Sequence, residues 1–202
     1  MRVLVACEES QRVCIAFREL GHEAFSCDIQ PCSGGHPEWH IQGDVLPLLS
    51  KKWDLLIAHP PCTYLSNAGA VRMFPHGELN RERYEKALAA REFFYKFLNA
   101  DVPRICVENP MPLSFLGLPK PDCIVQPWQF GEPYTKRTFL WLKNLPPLIP
   151  CDVLFGSIRP WVDCHVWNRG IAKSKKSRSK TFLGIARAMA EQWGGDINEK
   201  VL

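Results

Sequence analysis

Short apolar runs alternate with amphipathic stretches along this chain, and this alternation constrains its fold more than any other feature. Residues 2–6, 24–27, 54–58 and 104–107 have the length and apolar character of buried strands. Residues 80–98 carry apolar side chains at helical spacing and form the clearest helix. Strand and helix in alternation predict a parallel, doubly wound α/β sheet with helices on both faces.

Three more elements follow from the same patterns. Residues 10–20 predict a helix with Ser10 as its N-cap. Residues 138–142 predict a late strand, and residues 181–193 predict a last helix that ends before two glycines. The sequence contains no internal repeat, so residues 1–202 are expected to form a single domain.

Composition places the chain among ordinary globular proteins. Its 202 residues are 46% hydrophobic and 23% charged, and the formal net charge of +4 is compatible with nucleic-acid binding without requiring it. No apolar run approaches the ~20 residues needed to span a bilayer. The opening apolar run is too short for a signal peptide. We therefore expect a cytoplasmic protein with no membrane partner.

The nine cysteines are expected to be reduced thiols, because their number is odd and the expected setting is cytoplasmic. Cys27, Cys32, His36 and His40 come closest to a metal cluster. Their spacing matches no common zinc pattern, so no metal site is predicted.

Polar or reactive segments follow four of the predicted strands. They are residues 6–11, 27–31, 59–69 and 108–110. In doubly wound sheets, ligands bind beyond the carboxyl ends of the strands. An enzyme of this architecture is expected to concentrate its chemistry in these four segments.

Cys62 follows Pro60-Pro61 just past one predicted strand, and Glu108 lies at the end of the next strong one. Two prolines stiffen a turn, and a thiolate attacks an electrophilic ring carbon when its surroundings favour the ionised form. A carboxyl that leaves an apolar strand is partly desolvated, so the pKa of Glu108 is expected to be raised. Each residue alone also has a structural explanation, as a buried thiol or a loop carboxylate. Together, on adjacent strand ends, they suit attack on C6 of a pyrimidine.

These motifs resemble those of the DNA cytosine-5 methyltransferases, in particular the small phage-type members. The family's nucleophile loop reads Pro-Cys-Gln-x-Phe-Ser-x-x-Gly, and its later motifs Glu-Asn-Val and Pro-Gln-x-Arg-x-Arg are similar to residues 108–110 and 133–139. The order of the motifs holds over residues 3–193. The positions of the nucleophile loop that are kept in register are Pro61, Cys62, Ser66 and Gly69.

The resemblance implies a Rossmann-like methyltransferase domain that uses S-adenosylmethionine to methylate C5 of cytosine in double-stranded DNA, in a bacterial or phage-infected cell. The cytosine is then flipped out of the duplex. Cys62 adds to C6 while Glu108 engages N3 and the exocyclic amine, C5 takes the methyl group, and loss of the C5 proton expels Cys62. The residues implied to shape the substrate pocket are Pro61, Ser66 and Asn109.

The first loop departs from the family pattern. The family has Phe-x-Gly-x-Gly, but residues 5–11 contain no glycine, so the cofactor is expected to be held differently there. Glu8 or Glu9 is expected to meet the methionine ammonium group. The backbone N–H of Ser10, at the predicted helix start, is expected to meet the methionine carboxylate.

The nucleoside part of the cofactor is expected at the next strand ends. In the family, an acidic residue at the position of Asp28 binds the ribose hydroxyls. Asp44 falls where the family contacts the adenine amino group, although a turn carboxylate after a glycine explains it equally well. The other predicted cofactor contacts are Ala6, Cys7, Ile29 and Pro60.

Basic residues mark two further substrate regions. Lys136 and Arg137 lie where the family contacts cytosine O2 and nearby phosphate, and which of the two does so stays open because Thr138 replaces one arginine of the usual pair. Residues 169–180 contain six basic residues and no acidic one, which is typical of a phosphate-binding surface or of a solvated loop. The predicted phosphate ligands in this segment are Lys175, Lys176 and Arg178.

Alternatives to this function stay open. An amino-methyltransferase acting on adenine N6 or cytosine N4 also has a Pro-Pro motif at this strand end, although His59 and Cys62 argue against it. A non-catalytic nucleic-acid-binding relative would explain the missing glycines, and a modified S-adenosylmethionine is a third alternative. Only residues 143–180 are available for target recognition, so the target sequence and the choice of monomer or dimer are open. The last helix resembles the family's closing helix and is expected to pack near the first loop.

Overall fold

The computed structural model describes residues 1–156, 158–160 and 179–195. Its helices are α1 (Arg12–Glu19), α2 (Ala70–Met73), α3 (Arg81–Leu98) and α4 (Leu183–Trp193). Its strands are β1 (Arg2–Ala6), β2 (Glu23–Asp28), β3 (His40–Gln42), β4 (Leu55–Ala58), β5 (Arg104–Asn109), β6 (Cys123–Val125), β7 (Tyr134–Thr135), β8 (Thr138–Lys143) and β9 (Arg159–Pro160).

Seven strands form the central sheet, in the order β3-β2-β1-β4-β5-β8-β6. β1 to β5 are parallel, whereas β8 runs antiparallel to both of its neighbours. β7 and β9 form a separate parallel pair. The doubly wound, Rossmann-like α/β sheet predicted from the sequence is confirmed.

The sheet separates two apolar cores, and β1 contributes to both. Val3 and Val5 belong to the core that α1 and α4 cover, whereas Leu4 and Ala6 belong to the core that α3 covers. All four side chains are fully buried. A strand covered on both faces needs apolar residues at every position, which explains the continuous apolar run in the sequence.

The long helix α3 forms as its periodicity predicts. Its N-cap is Asn80, whose side-chain oxygen accepts a hydrogen bond from the backbone N–H of Arg83 at 3.0 Å. Ala87, Phe94 and other residues of the predicted stripe face the core, and the Phe94 ring packs edge-on against Trp141 with centroids 5.0 Å apart. The interpretation of this stripe as core is confirmed.

The start of α1 differs from the prediction. The helix begins at Arg12, and Ser10 does not cap it; Gln11 precedes it with a left-handed φ of 59°. The carboxylate of Glu8 accepts the N–H groups of Val13 and Cys14 at 2.7 and 3.2 Å instead. A carboxylate at a helix N-terminus is stabilised by the unpaired N–H groups there, so Glu8 replaces the expected serine cap.

The two ends of the described chain lie side by side, as predicted. Nη1 of Arg12 donates to the carbonyl of Thr181 at 2.7 Å, and Phe17 of α1 shares a core with Met189 of α4. The elements that the sequence did not predict are short: α2, β3, β6, β7 and β9 each have two to four residues. Each helix of the described ranges is too short or too polar to cross a membrane.

Candidate active site

The carboxyl ends of β2, β1, β4 and β5 lie side by side in that order. Ala6 pairs with Cys27 on one side and with Ala58 on the other. Ala58 in turn pairs with Val107. The four segments predicted to carry chemistry therefore meet along one edge of the sheet, where doubly wound folds bind their ligands.

The Cys62 loop, residues 59–69, follows β4 and is hydrogen-bonded to the segment that follows β5. The N–H of Asn67 donates to the carbonyl of Met111 at 2.8 Å. The N–H of Leu113 donates to the carbonyl of Leu65 at the same distance. The two strand ends predicted to form one pocket are thus joined directly by backbone hydrogen bonds.

Asn109 and Ser66, predicted to shape the substrate pocket, are buried and hold the Cys62 loop. Nδ2 of Asn109 donates to the carbonyl of Pro60 at 2.8 Å. Ser66 forms an isolated bridge with Pro112, and its N–H donates to the carbonyl of Cys62 at 2.9 Å. Both residues act on the shape of the loop, and direct contact with a substrate stays a prediction.

Arg83, in the first turn of α3, fastens the Cys62 loop from its other side, and no sequence pattern pointed to it. Its Nη2 donates to the carbonyl of Thr63 at 2.7 Å, and its guanidinium lies 5.0 Å from the centre of the Tyr64 ring. A Cβ at Gly69 would lie 2.6 Å from that Nη2. A side chain at Gly69, the glycine in register with the family motif, would therefore displace the Arg83 guanidinium from this position.

Cys62 differs from the neighbouring thiols in its accessibility. Its side chain is exposed, whereas burial raises the pKa of Cys7 and Cys14 to about 12 and that of Cys27 to about 11. A thiol of such high pKa stays protonated at neutral pH and is a poor nucleophile. Pro61, beside Cys62, is exposed as well. The thiol at this edge that is open to a substrate is Cys62.

Glu108 is paired with His59, the residue between β4 and the two prolines. Nδ1 of His59 lies 3.1 Å from Oε2 of Glu108, and their side chains are 8% and 14% exposed. Burial raises the pKa of Glu108, but the hydrogen bond from His59 and the positive charges of Lys136 and His59 outweigh it, so the pKa is lowered. The predicted rise in the pKa of Glu108 is wrong, because desolvation is only one contribution and these partners lower the pKa more than burial raises it.

Lys136 and Arg137 occupy different surroundings. Lys136 is half-buried between β7 and β8, its N–H donates to Oε1 of Gln126 at 2.9 Å, and its charge acts on Glu108. Arg137 is exposed, and its guanidinium lies 5.5 Å from the centre of the Phe139 ring. Lys136 therefore belongs to the group around Glu108. Contact of either residue with substrate stays a prediction.

The residue that follows β1, Cys7, is not a glycine but has a backbone conformation that glycine usually adopts. Cys7 has a φ of 59°, a left-handed value that is uncommon for a residue with a Cβ. Burial raises the pKa of its thiol, and the nearby carboxylates of Asp28 and Asp44 add to the rise. The side chain of Ile29, next to Asp28, is 77% exposed. Carboxylate acceptors beside an exposed apolar side chain match the chemistry of a ribose and a flat base.

Asp28 and Asp44 each use one carboxylate oxygen in a turn. Oδ1 of Asp28 accepts the N–H of Gln30 at 2.9 Å, and Oδ1 of Asp44 accepts the N–H of Leu46 at 3.0 Å. The turn explanation for Asp44 therefore accounts for one of its two carboxylate oxygens. A contact of Asp44 with adenine stays a prediction. Ala6 and Pro60, also predicted near the cofactor, are buried at the strand ends.

Glu8, Glu9 and Ser10 are buried in internal contacts. Glu8 uses both carboxylate oxygens on α1, as described above. The Glu9 carboxylate accepts from the hydroxyl of Ser33, and its carbonyl accepts the N–H of the same residue at 2.7 Å. Residues 33–36 thus cover the loop after β1. Contacts of Glu8 and Ser10 with the methionine part of a cofactor stay predictions.

The predicted phosphate ligands lie outside the described residues; they are Lys175, Lys176 and Arg178. The end of that basic segment is described. Nζ of Lys180 donates to the hydroxyl of Ser33 at 3.1 Å. The basic segment therefore ends next to residues 33–36, which cover the loop after β1.

Two of the residues that came closest to a metal pattern have other contacts. Nδ1 of His40 lies 2.8 Å from the hydroxyl of Ser26, and the His36 ring stacks on Trp39 with centroids 4.0 Å apart. Within the described ranges, no three His, Cys, Asp or Glu side chains are arranged to hold a metal ion.

Comparison with known proteins finds similarity to solved structures. No protein-family model matches the chain, and no curated protein matches it. A solved structure from E. coli, described as a DNA modification methyltransferase encoded within a prophage, is similar over 76% of this chain and 52% of its own length. The sequence identity is 12% and the TM-score is 0.46, and this chain spans about half the length of that structure. The doubly wound fold follows from the strand order of the chain itself.

Proposed function

We propose that this chain transfers a methyl group from S-adenosylmethionine to C5 of cytosine in DNA, with Cys62 as the covalent nucleophile. The observation that carries the proposal is the junction of two strand ends: the loop with the exposed Cys62 is hydrogen-bonded to the segment after Glu108, and Glu108 is paired with His59. Addition to a pyrimidine requires a nucleophile on one ring carbon and a proton-sharing group on a ring nitrogen.

Cys62 activates the base by covalent addition. Its thiolate sulfur bonds to C6, and the ring electrons move towards N3, where Glu108 provides a proton. C5 becomes nucleophilic and takes the methyl group. C5 then loses its proton, and the bond between C6 and sulfur breaks to release Cys62. The cytosine leaves the duplex stack beforehand, because C5 and C6 are unreachable within it.

S-adenosylmethionine, when bound, supplies an electrophilic methyl group. Asp28 suits the ribose hydroxyls as an acceptor, Ile29 offers an exposed apolar surface to the adenine, and Asp44 accepts from its amino group. The left-handed backbone at Cys7 serves where the family uses glycine. Glu8, whose carboxylate also binds the start of α1, and the backbone N–H of Ser10 are proposed to meet the methionine part. The strand-end residues completing this side are Ala6, Cys7 and Pro60.

Glu108 starts from its carboxylate form, because its pKa is lowered in the free protein. A carboxylate accepts from the exocyclic amine of cytosine, but it meets the lone pair of N3 unfavourably. Uptake of one proton relieves that repulsion, so binding of the base favours the protonated form that the addition of Cys62 requires.

DNA is the proposed partner of the basic residues. The charge of Lys136 acts on Glu108, and Lys136 is proposed to contact the flipped cytosine. Arg137 is proposed to contact the adjoining DNA backbone. The net charge of +4 suits a polyanion. The residues proposed to bind phosphate are Lys175, Lys176 and Arg178.

Release of tritium from C5 tests the proposal. Duplex DNA with cytosine tritiated at C5 is incubated with S-adenosylmethionine, and tritium is expected in water because methylation at C5 replaces that hydrogen. Cys62→Ala is expected to abolish release. Cys151→Ala removes another exposed thiol, in the segment after β8, and is expected to leave release unchanged. Digestion to nucleosides is expected to yield 5-methylcytosine.

Other outcomes identify the alternatives. Methyl groups on cytosine N4 or adenine N6, with tritium retained, would establish an amino-methyltransferase and overturn the proposal. Full activity of Cys62→Ala would overturn the role of this thiol. Calorimetry with S-adenosylmethionine and its demethylated product that shows no binding heat would favour the non-catalytic nucleic-acid-binding relative.

A further inference from the structure

His59 is fixed in the fold and closed to water. Its backbone N–H donates to the carbonyl of Ala6 at 2.9 Å, which ties it to the end of β1. Its side chain is 8% exposed, and its Nδ1 lies 3.1 Å from Oε2 of Glu108. The ring therefore stands between the strand end proposed for the cofactor and the strand end proposed for the base.

The other ring nitrogen of His59, Nε2, is buried but forms no compensating interaction with the described residues. Nε2 has no hydrogen-bond partner among the residues that the structure describes. A buried polar atom without a partner destabilises a fold, and an apolar side chain of similar size avoids that loss. The contact through Nδ1 is thus the interaction that distinguishes histidine from such a residue at this position.

The charged groups around the pair determine what the contact does. The positive charge of Lys136, in the turn before β8, acts on Glu108. Glu8, with Glu9 beside it, faces His59 from the loop after β1. Against an ionised carboxylate, Nδ1 must carry the proton and donate. A donor held in this way stabilises the carboxylate more than the acid.

We propose that His59 is a positioning residue for Glu108: it holds the carboxyl in one orientation and stabilises the carboxylate that remains after Glu108 gives a proton to cytosine N3. The inference rests on the proposed function. The proton moves from Oε1 of Glu108 to N3 as the sulfur of Cys62 bonds to C6. The Nδ1 proton stays on His59, and N3 returns its proton to Glu108 when Cys62 leaves.

A double-mutant cycle between His59 and Glu108 tests the inference. The single-turnover rate of tritium release is measured for His59→Leu, for Glu108→Gln and for the double variant. We expect His59→Leu to lower the rate roughly 10- to 100-fold, the value of a hydrogen bond to a charged group. In the Glu108→Gln background, the same change is expected to cause little further loss. An equal loss in both backgrounds would mean that His59 acts only on the fold, and the inference would be wrong.

A conservative variant and a spectroscopic titration complete the test. His59→Gln keeps an N–H donor and is expected to recover most of the rate, whereas the exposed control His76→Gln is expected to have no effect. Carbon-13 NMR of the Glu108 carboxyl, assigned by its loss in Glu108→Gln, is expected to show a higher pKa in His59→Leu. An unchanged pKa would contradict the inference. This titration needs no activity, so it distinguishes failure of the inference from failure of the proposed methyl transfer.

Discussion

The sheet edge has two halves, one with the Cys62 loop after β4 and one with the loop after β1, and the two loops are held in different ways. The Cys62 loop is fastened from outside, by Asn109 of β5 and by Arg83 of α3, and it leaves its thiol exposed. The loop after β1 is fastened by its own side chains, because Glu8 binds α1 and Gln11 binds both backbone groups of His36. The first half presents a side chain to solvent, whereas the second half buries its polar side chains and leaves backbone and neighbouring residues for ligand contact.

This difference explains how a loop without glycine keeps a glycine-like shape. Cys7 and Gln11 bracket the loop, and both have a φ of 59°. The glycine that the packing needs lies elsewhere: a Cβ at Gly34 would be 2.5 Å from Cβ of Gln11. Left-handed residues with side chains persist where surrounding contacts hold them, and here the hydrogen bonds of Gln11 supply that restraint.

The largest expected effect comes from loosening the Cys62 loop. Asn109→Ala removes the donor to the carbonyl of Pro60, and a small displacement of a reacting group costs on the order of 100-fold in rate. We expect that loss in single-turnover methylation, with the affinity for S-adenosylmethionine unchanged in calorimetry. Asn99→Ala, at the exposed end of α3, is the control. Equal losses of rate and cofactor affinity would show that the two halves are not separable.

A smaller effect is expected from the other half. Asp28→Asn removes the charge that is proposed to accept the ribose hydroxyls, which corresponds to about tenfold weaker binding of S-adenosylmethionine. The rate at saturating cofactor is expected to change little. Asp101→Asn changes an exposed carboxylate just after α3 and is expected to leave affinity unaltered. Unchanged affinity in Asp28→Asn would remove this residue from the cofactor site.

The smallest effect concerns stability against pH, where the two halves have opposite signs. Glu108 has a lowered pKa, so its contribution to stability is present above about pH 4.5 and is lost as the pH falls through its folded value. Glu8 has a raised pKa because of burial, so stability falls as the pH rises from about 4.5 through its folded value. Urea unfolding of Glu108→Gln and Glu8→Gln, repeated across this pH range, is expected to remove one slope each, of at most about 1.4 kcal/mol per pH unit for one proton. Slopes of the same sign would contradict this assignment.

The sequence predicted those strands and helices that have a clear local pattern of apolar residues. The apolar runs of β1, β4 and β5 and the stripe of α3 were recognised, with ends shifted by at most two residues. The start of α1 was not, because its cap is the carboxylate of Glu8, outside the usual N-cap position. Strands β3 and β6 have three residues each, too few for a periodic signal.

The site divides in the same way. The strand-end rule brought Cys62 and Glu108 to one edge without structural information. The direction of the Glu108 pKa shift could not be predicted, because it depends on His59, which follows β4, and on Lys136, in a distant turn. Arg83 was missed for the same reason, since its contact with the Cys62 loop links residues twenty positions apart.

A covalent trap tests the central claim most directly. In DNA with 5-fluorocytosine at the target position, C5 carries no hydrogen to lose after methylation, so the bond between C6 and the nucleophile persists. With S-adenosylmethionine present, we predict a protein–DNA adduct whose mass maps to the peptide containing Cys62, absent in Cys62→Ala and present in Cys151→Ala. An adduct on another residue, or sustained methylation of ordinary DNA without any adduct, would contradict the account.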